Sequence, residues 1–125
     1  MWSASPIRSS LHIDHCFPWA RWRNNDLWNL LPARSTINTS KRDLLPSSLA
    51  MVDARARMVD WWDGAWIGSS REEQFLMEAR YSLPGIAGDR PSLDDVFDAA
   101  LHQRARLKQD QQLVEWSGAG AYGGR

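Results

Sequence analysis

In "LHIDHCFPWARWRNNDLWNLLPARSTINTSKRDLLP", residues 11–46, an Asp-His pair, spaced asparagines and a lysine crowd into about a third of the chain. A carboxylate at Asp14 and an amide oxygen at Asn38 are hard oxygen donors, suited to magnesium or manganese far better than to zinc. Two protein donors leave positions for water and phosphate oxygens, the character of an open, catalytic type of metal site. His15 follows Asp14 directly, so at a strand end it projects away from it. A neutral imidazole there can take a proton from a water attacking phosphorus. Lys41 comes three residues after Asn38, almost one helical turn, so the two face the same way and a cation sits beside the metal. In outline this is the equipment of a phosphodiester hydrolase.

The elements that must position these groups can be read from the flanking pattern. In "LHIDHCF", Leu11, Ile13 and Cys16 alternate with polar residues, which predicts a short strand whose end is marked by Pro18. Asn24, Asn25 and Asp26 supply turn chemistry to the loop that follows. "LWNLLP" reads as a second short apolar strand closed by Pro32. A short helix is expected from Ser35 to about Leu44, capped by Ser35 or Thr36 and stopped by Pro46. The expected order is strand, loop, strand, helix.

Beyond Pro46 the periodicity turns helical. A first helix is predicted from Ser47 or Ser48 to about Trp62, with Met51, Ala54, Met58, Val59 and Trp62 on one stripe and Gly64 and Gly68 interrupting it. A second is predicted over "SREEQFLMEARYSL", opened by a Ser70–Glu73 capping box and halted by Pro84-Gly85. A third is predicted over "SLDDVFDAALHQRARLKQDQQLVEW", opened by Ser92 and Asp95. The fold class expected is α+β. Its parts are a hairpin crossed by a helix over residues 1–46, a helical region over 47–117, and a disordered Gly-rich tail over 118–125.

The 15 basic and 15 acidic residues balance. The halves differ, with six Lys/Arg against three Asp/Glu in residues 1–50 (net +3) and nine against twelve in 51–125 (net −3). The basic half is the one that holds the polar cluster. A single cysteine, Cys16, excludes a disulfide framework and a cysteine-based zinc knuckle and fits a reducing, cytoplasmic compartment. Beside the apolar Phe17, its thiol reads as buried and inert. No apolar run approaches a membrane span, and "MWSASPIRSS" lacks the apolar core of a signal peptide.

Five positions in register, Asp14-His15, Asn29, Asn38 and Lys41, with "WNLLP" between them and "DLLP" closing, resemble the HNH endonuclease motif of the His-Me finger (ββα-metal) superfamily. The intervals coincide with those of the HNH domain in RNA-guided CRISPR nucleases, and the wording looks still more like HNH domains of bacterial and phage origin. The resemblance covers roughly residues 11–46. It implies that His15 is the general base and that Asp14 and Asn38 hold one divalent cation, Mg2+ or Mn2+, with DNA left carrying 5′-phosphate and 3′-hydroxyl ends. It implies that Asn29 pins the loop between the strands and helps orient the base. Lys41 is expected near the phosphate, with Arg34 and Arg42 as weaker candidates for DNA backbone contacts. His12, two residues before Asp14 on the same strand face, is an auxiliary ligand candidate. Many such domains have more chain upstream of the Asp-His pair than the thirteen residues here. The expectation is therefore a fragment, a domain of a larger protein, or a truncated reading frame.

Blander readings stand beside these. Trp19, Trp22 and Trp28 have faces that can stack on unpaired bases, but "FPW" and "LWNLLP" read more readily as core packing. His102 and "RARLK" (104–108) read as a solvated helix face. An intact Asp-His…Asn…Asn set argues against one alternative to an endonuclease, a nucleic-acid-binding module with a lapsed site. The other alternative stays open, an interaction module whose helical part over 47–117 docks onto a larger complex while the finger is passive or partner-activated.

Overall fold

The alternation in "LHIDH" does make a strand. In the computed structural model, which describes residues 1–2, 11–34, 41 and 43–118, β1 (Leu11–His15) pairs antiparallel with β2 (Leu30–Arg34), and Asp14 lies opposite Leu31. The face is the reverse of the one the apolar residues suggest: Ile13 is 56% exposed, while Asp14 and Cys16 point inward. The helices supply the apolar floor beneath the hairpin, so a single outward Ile13 is tolerated and the inward position takes Asp14.

The second strand also begins later than expected. Leu27–Asn29 form a 3-10 turn and β2 starts at Leu30, running through Pro32, which sits opposite Ile13. A proline lacks the N–H of a ladder, but in a strand with an open edge that group can face outward at little cost. The helix expected over 35–44 lies largely outside the described residues.

The three later helices are α1 (Ser48–Ala65), α2 (Glu72–Ser82) and α3 (Leu93–Gln111). Ser47 caps α1, its side chain accepting from the Ala50 N–H at 3.0 Å. Met51, Ala54, Met58 and Trp62 form the fully buried stripe, each large side chain contributing about 1.5–3 kcal/mol by leaving water. Gly64 does not interrupt this helix; the break comes at Gly68, whose φ of +80° favours glycine. The Ser70–Glu73 capping box is not formed. The Ser69 hydroxyl accepts from the Arg71 N–H instead, and Glu72 reaches back to accept from the Gly68 N–H at 2.9 Å. At α3 the Ser92–Asp95 capping box is present in both directions, at 3.1 Å each.

The third helix stops at Gln111, five residues short of the expected end, because Gln112 adopts a left-handed conformation (φ 50°) and turns the chain back. The returning segment forms β4 (Glu115–Trp116), parallel to β3 (Leu45–Pro46). Leu45 N donates to Val114 O (3.2 Å) and Ser47 N to Trp116 O (2.8 Å), so Pro46 falls where this strand donates nothing. Beyond β4, Gly118 is buried against Ala50, and residues 119–125 of the expected tail lie outside the described residues.

One hydrophobic cluster joins the hairpin to the helices: Phe17, Trp28 and Leu31 share it with Met58, Trp62, Phe75 and Phe97. No described helix is long and apolar enough to cross a membrane.

Candidate active site

Trp28 is where the helices hold the hairpin. Its indole N–H donates to the Ser82 hydroxyl at 2.9 Å and to Asp26 at 3.1 Å, and its carbonyl accepts from the Trp62 indole N–H at 3.1 Å. The Trp61 indole donates to Leu30 O, and Leu27 N donates to the Glu78 carboxylate at 2.8 Å. Thus α1 and α2 fix the chain on both sides of Asn29.

Asn29 is fully buried and spends its whole side chain on the loop between the strands. Its Oδ1 accepts from Phe17 N at 2.9 Å; its Nδ2 donates to Asn24 O at 2.8 Å and to Phe17 O at 3.4 Å. Its backbone carbonyl takes Cys16 N at 2.8 Å. Each of these backbone groups would otherwise be buried without a partner, at about 1–3 kcal/mol apiece.

Asp14 is buried beside the fully buried Lys41, whose Nζ stands 3.4 Å from Asp14 Oδ2 and donates to His15 O at 2.8 Å. Burial pushes the Asp14 carboxyl above its ordinary range, and the Lys41 ammonium pulls it back toward ionisation. Asp14 Oδ2 nevertheless makes no hydrogen bond. The lysine expected to face the phosphate therefore sits beneath the strand end, holding the Asp14 carboxylate and the His15 carbonyl. Burial also pushes the Cys16 thiol up to about 12, so it stays protonated and closed off.

His15 lies half-buried at the end of β1, its Nε2 2.7 Å from Asn25 Oδ1. In the tautomer protonated at Nε2 the ring donates to this amide oxygen, which only accepts, and Nδ1 keeps its lone pair. Asn25 was legible only as a turn residue. The signal was the doublet: Asn24 alone makes the turn, its Oδ1 accepting from Asp26 N at 2.9 Å, which releases Asn25 for the imidazole.

The structure thus brings Asp14, His15, Asn29 and Lys41 to one end of the hairpin. His12 is exposed, and no cluster of three or more His, Cys, Asp or Glu able to hold a metal occurs among the described residues. Asn38, Arg42 and the side chain of Arg34 lie outside what the structure describes. Arg104 and Lys108 of "RARLK" both pair with Glu115, while His102 and Arg106 are exposed.

Residues 3–47 match the model of a family described as HNH endonuclease. This N-terminal segment is an HNH domain, the class that the hairpin and its Asp-His pair define. Comparison with curated proteins and with solved structures gave no match.

Proposed function

We propose that the chain is a metal-dependent endonuclease that hydrolyses DNA phosphodiester bonds, with His15 as general base. The observation that carries this reading is the His15–Asn25 contact at the end of the strand that also carries Asp14: it leaves one ring nitrogen able to accept a proton, and the Asp14 Oδ2 makes no hydrogen bond and has the Lys41 ammonium 3.4 Å away. An unsatisfied buried carboxylate oxygen is a donor that a hard divalent cation fits, and Asn38 supplies the second oxygen. When bound, Mg2+ or Mn2+ supplies positive charge to the five-coordinate phosphorus and to the departing 3′ oxygen.

The chain's own residues do the rest. His15 takes a proton at Nδ1 from the attacking water, whose oxygen bonds to phosphorus as the bond to the 3′ oxygen breaks. The 3′ oxygen leaves protonated from solvent, giving 5′-phosphate and 3′-hydroxyl ends. Asn25 holds the ring, Asn29 holds the loop that carries Asn25, and Lys41 favours the ionised form of Asp14 against its burial and holds the end of β1 in place.

Supercoiled plasmid incubated with the protein and Mg2+ or Mn2+ tests this, with chelator and His15→Ala as controls. Nicking that requires both metal and His15 is the expected result. DNA retained without nicking, and unaffected by His15→Ala, would make the chain a binding module instead.

A further inference from the structure

The loop from Trp19 to Asn25 is anchored on His15 at both ends. The Trp19 ring lies tilted on the imidazole with centroids 5.9 Å apart, and Asn25 Oδ1 meets Nε2 at 2.7 Å. Between these anchors the segment alternates: Arg21, Arg23 and Asn25 are exposed, while Trp22 and Asn24 turn inward. Trp22 stacks with Phe17 and Trp28 at 6.1 and 5.7 Å, and the Asn24 carbonyl is held by Asn29. Gln111 donates to Arg21 O at 2.9 Å and braces the loop from α3. The outward side chains therefore stand on a fixed base beside the imidazole.

Two features of that outward face have no internal purpose. Arg55, Arg57, Arg80, Arg90 and Arg104 each reach a carboxylate within 2.7–3.2 Å. Arg21 and Arg23 reach none among the described residues, as Arg71 and Arg106 reach none, but these two lie on the loop that meets the imidazole, and the acid next to that loop, Asp26, accepts from Asn24 and Trp28. Trp19 is 44% exposed, whereas Trp2, Trp28, Trp62 and Trp116 are buried. A wide aromatic face and two free guanidiniums beside a general base match one partner chemistry, a strand of alternating phosphates and flat bases.

We infer that this loop grips the substrate strand, with Arg21 and Arg23 on its phosphates and Trp19 stacked on an unpaired base next to the scissile bond. In a duplex both faces of every base are covered by their neighbours. An indole fixed beside His15 finds a partner only where stacking is interrupted, in a single strand, a bubble or a gap. The inference rests on the nuclease reading and adds the substrate class: nucleic acid with an unpaired nucleotide at the cleavage point.

The test uses the full chain with three fluorescently labelled DNAs of equal length: a single strand, a perfect duplex and a duplex with a three-base bubble. Binding is measured by anisotropy in chelator, and cleavage with Mg2+ or Mn2+. Wild type is expected to bind single strand and bubble at least tenfold tighter than duplex. Trp19→Ala is expected to lose roughly 5- to 100-fold on those two and almost nothing on duplex, with Trp19→Phe retaining most of the affinity. Arg21→Ala combined with Arg23→Ala is expected to weaken binding to all three and to flatten the salt dependence by about one unit of slope per arginine. Unaltered melting temperatures would show that these variants fold. Equal affinity of wild type for duplex and bubble, no binding at all, or a Trp19→Ala protein indistinguishable from wild type would overturn the inference. The two readings fail separately: His15-dependent nicking indifferent to Trp19 removes only the inference, and selective binding without cleavage removes only the nuclease.

Discussion

The hairpin end and the helical layer bury different things. Of the five buried polar or charged side chains described, Asp14, Asn24, Asn29 and Lys41 belong to the hairpin segment, and Gln103 alone belongs to the helices. The helical interior is built of Met51, Met58, Trp62, Phe75, Val96 and Phe97, where burial itself stabilises. At the hairpin, Asn24, Asn29 and Lys41 each meet a specific partner and Asp14 has the Lys41 ammonium beside it, which fixes geometry rather than adding stability. The stabilising contacts and the reactive groups are therefore largely in different places, joined at Trp28.

Substitutions should separate the two. The largest effect is expected at His15→Ala, a loss of about 100- to 10,000-fold in plasmid nicking with little change in melting temperature. Trp62→Ala should do the converse. It should cost about 3–5 kcal/mol in urea unfolding through the cavity it leaves and the lost bond to Trp28 O, while nicking per folded molecule largely survives at low temperature. A His15→Ala protein that unfolds as readily as Trp62→Ala would erase the distinction.

The Asp14–Lys41 pair lies between these cases. Asp14→Ala strands a fully buried ammonium and is expected to cost about 3–5 kcal/mol as well as activity. The double change Asp14→Leu with Lys41→Met should recover most of that stability and none of the activity, as a denaturation cycle would show. Asn29→Ala should follow at about 2–3 kcal/mol, because it leaves Phe17 N and Asn24 O buried without partners. It should also lower nicking by freeing the loop that carries Asn25. The smallest response is expected at Cys16: with its thiol pushed up to about 12 and no exposure, it should be inert to a disulfide reagent at pH 8 and react only on unfolding.

The loop-pinning role of Asn29 came only as an implication of the family resemblance, whereas sequence pattern disclosed the hairpin and the three later helices, because these follow from local period and capping residues. Serine caps at positions 47 and 92 were readable for the same reason. Partners distant in the chain were not. Nothing near Lys41 announces that its charge goes to Asp14 and to the carbonyl of His15, and "RNND" reads as turn chemistry until the fold carries Asn25 to the imidazole. Trp19 was grouped with Trp22 and Trp28 as core, yet the loop divides them into one outward and two inward rings. The inward Asp14 and outward Ile13 reverse the apolar alternation because the helices supply the apolar floor.

Trp28 is tied at its nitrogen to one helix and at its carbonyl to another. A peptide excised as the hairpin alone would give up both anchors and expose a ring that is now wholly covered. The proposed catalytic end should therefore melt in the same cooperative step as the bundle beneath it, and loosening that bundle with heat or denaturant should silence any nicking without the ligand or base residues being touched.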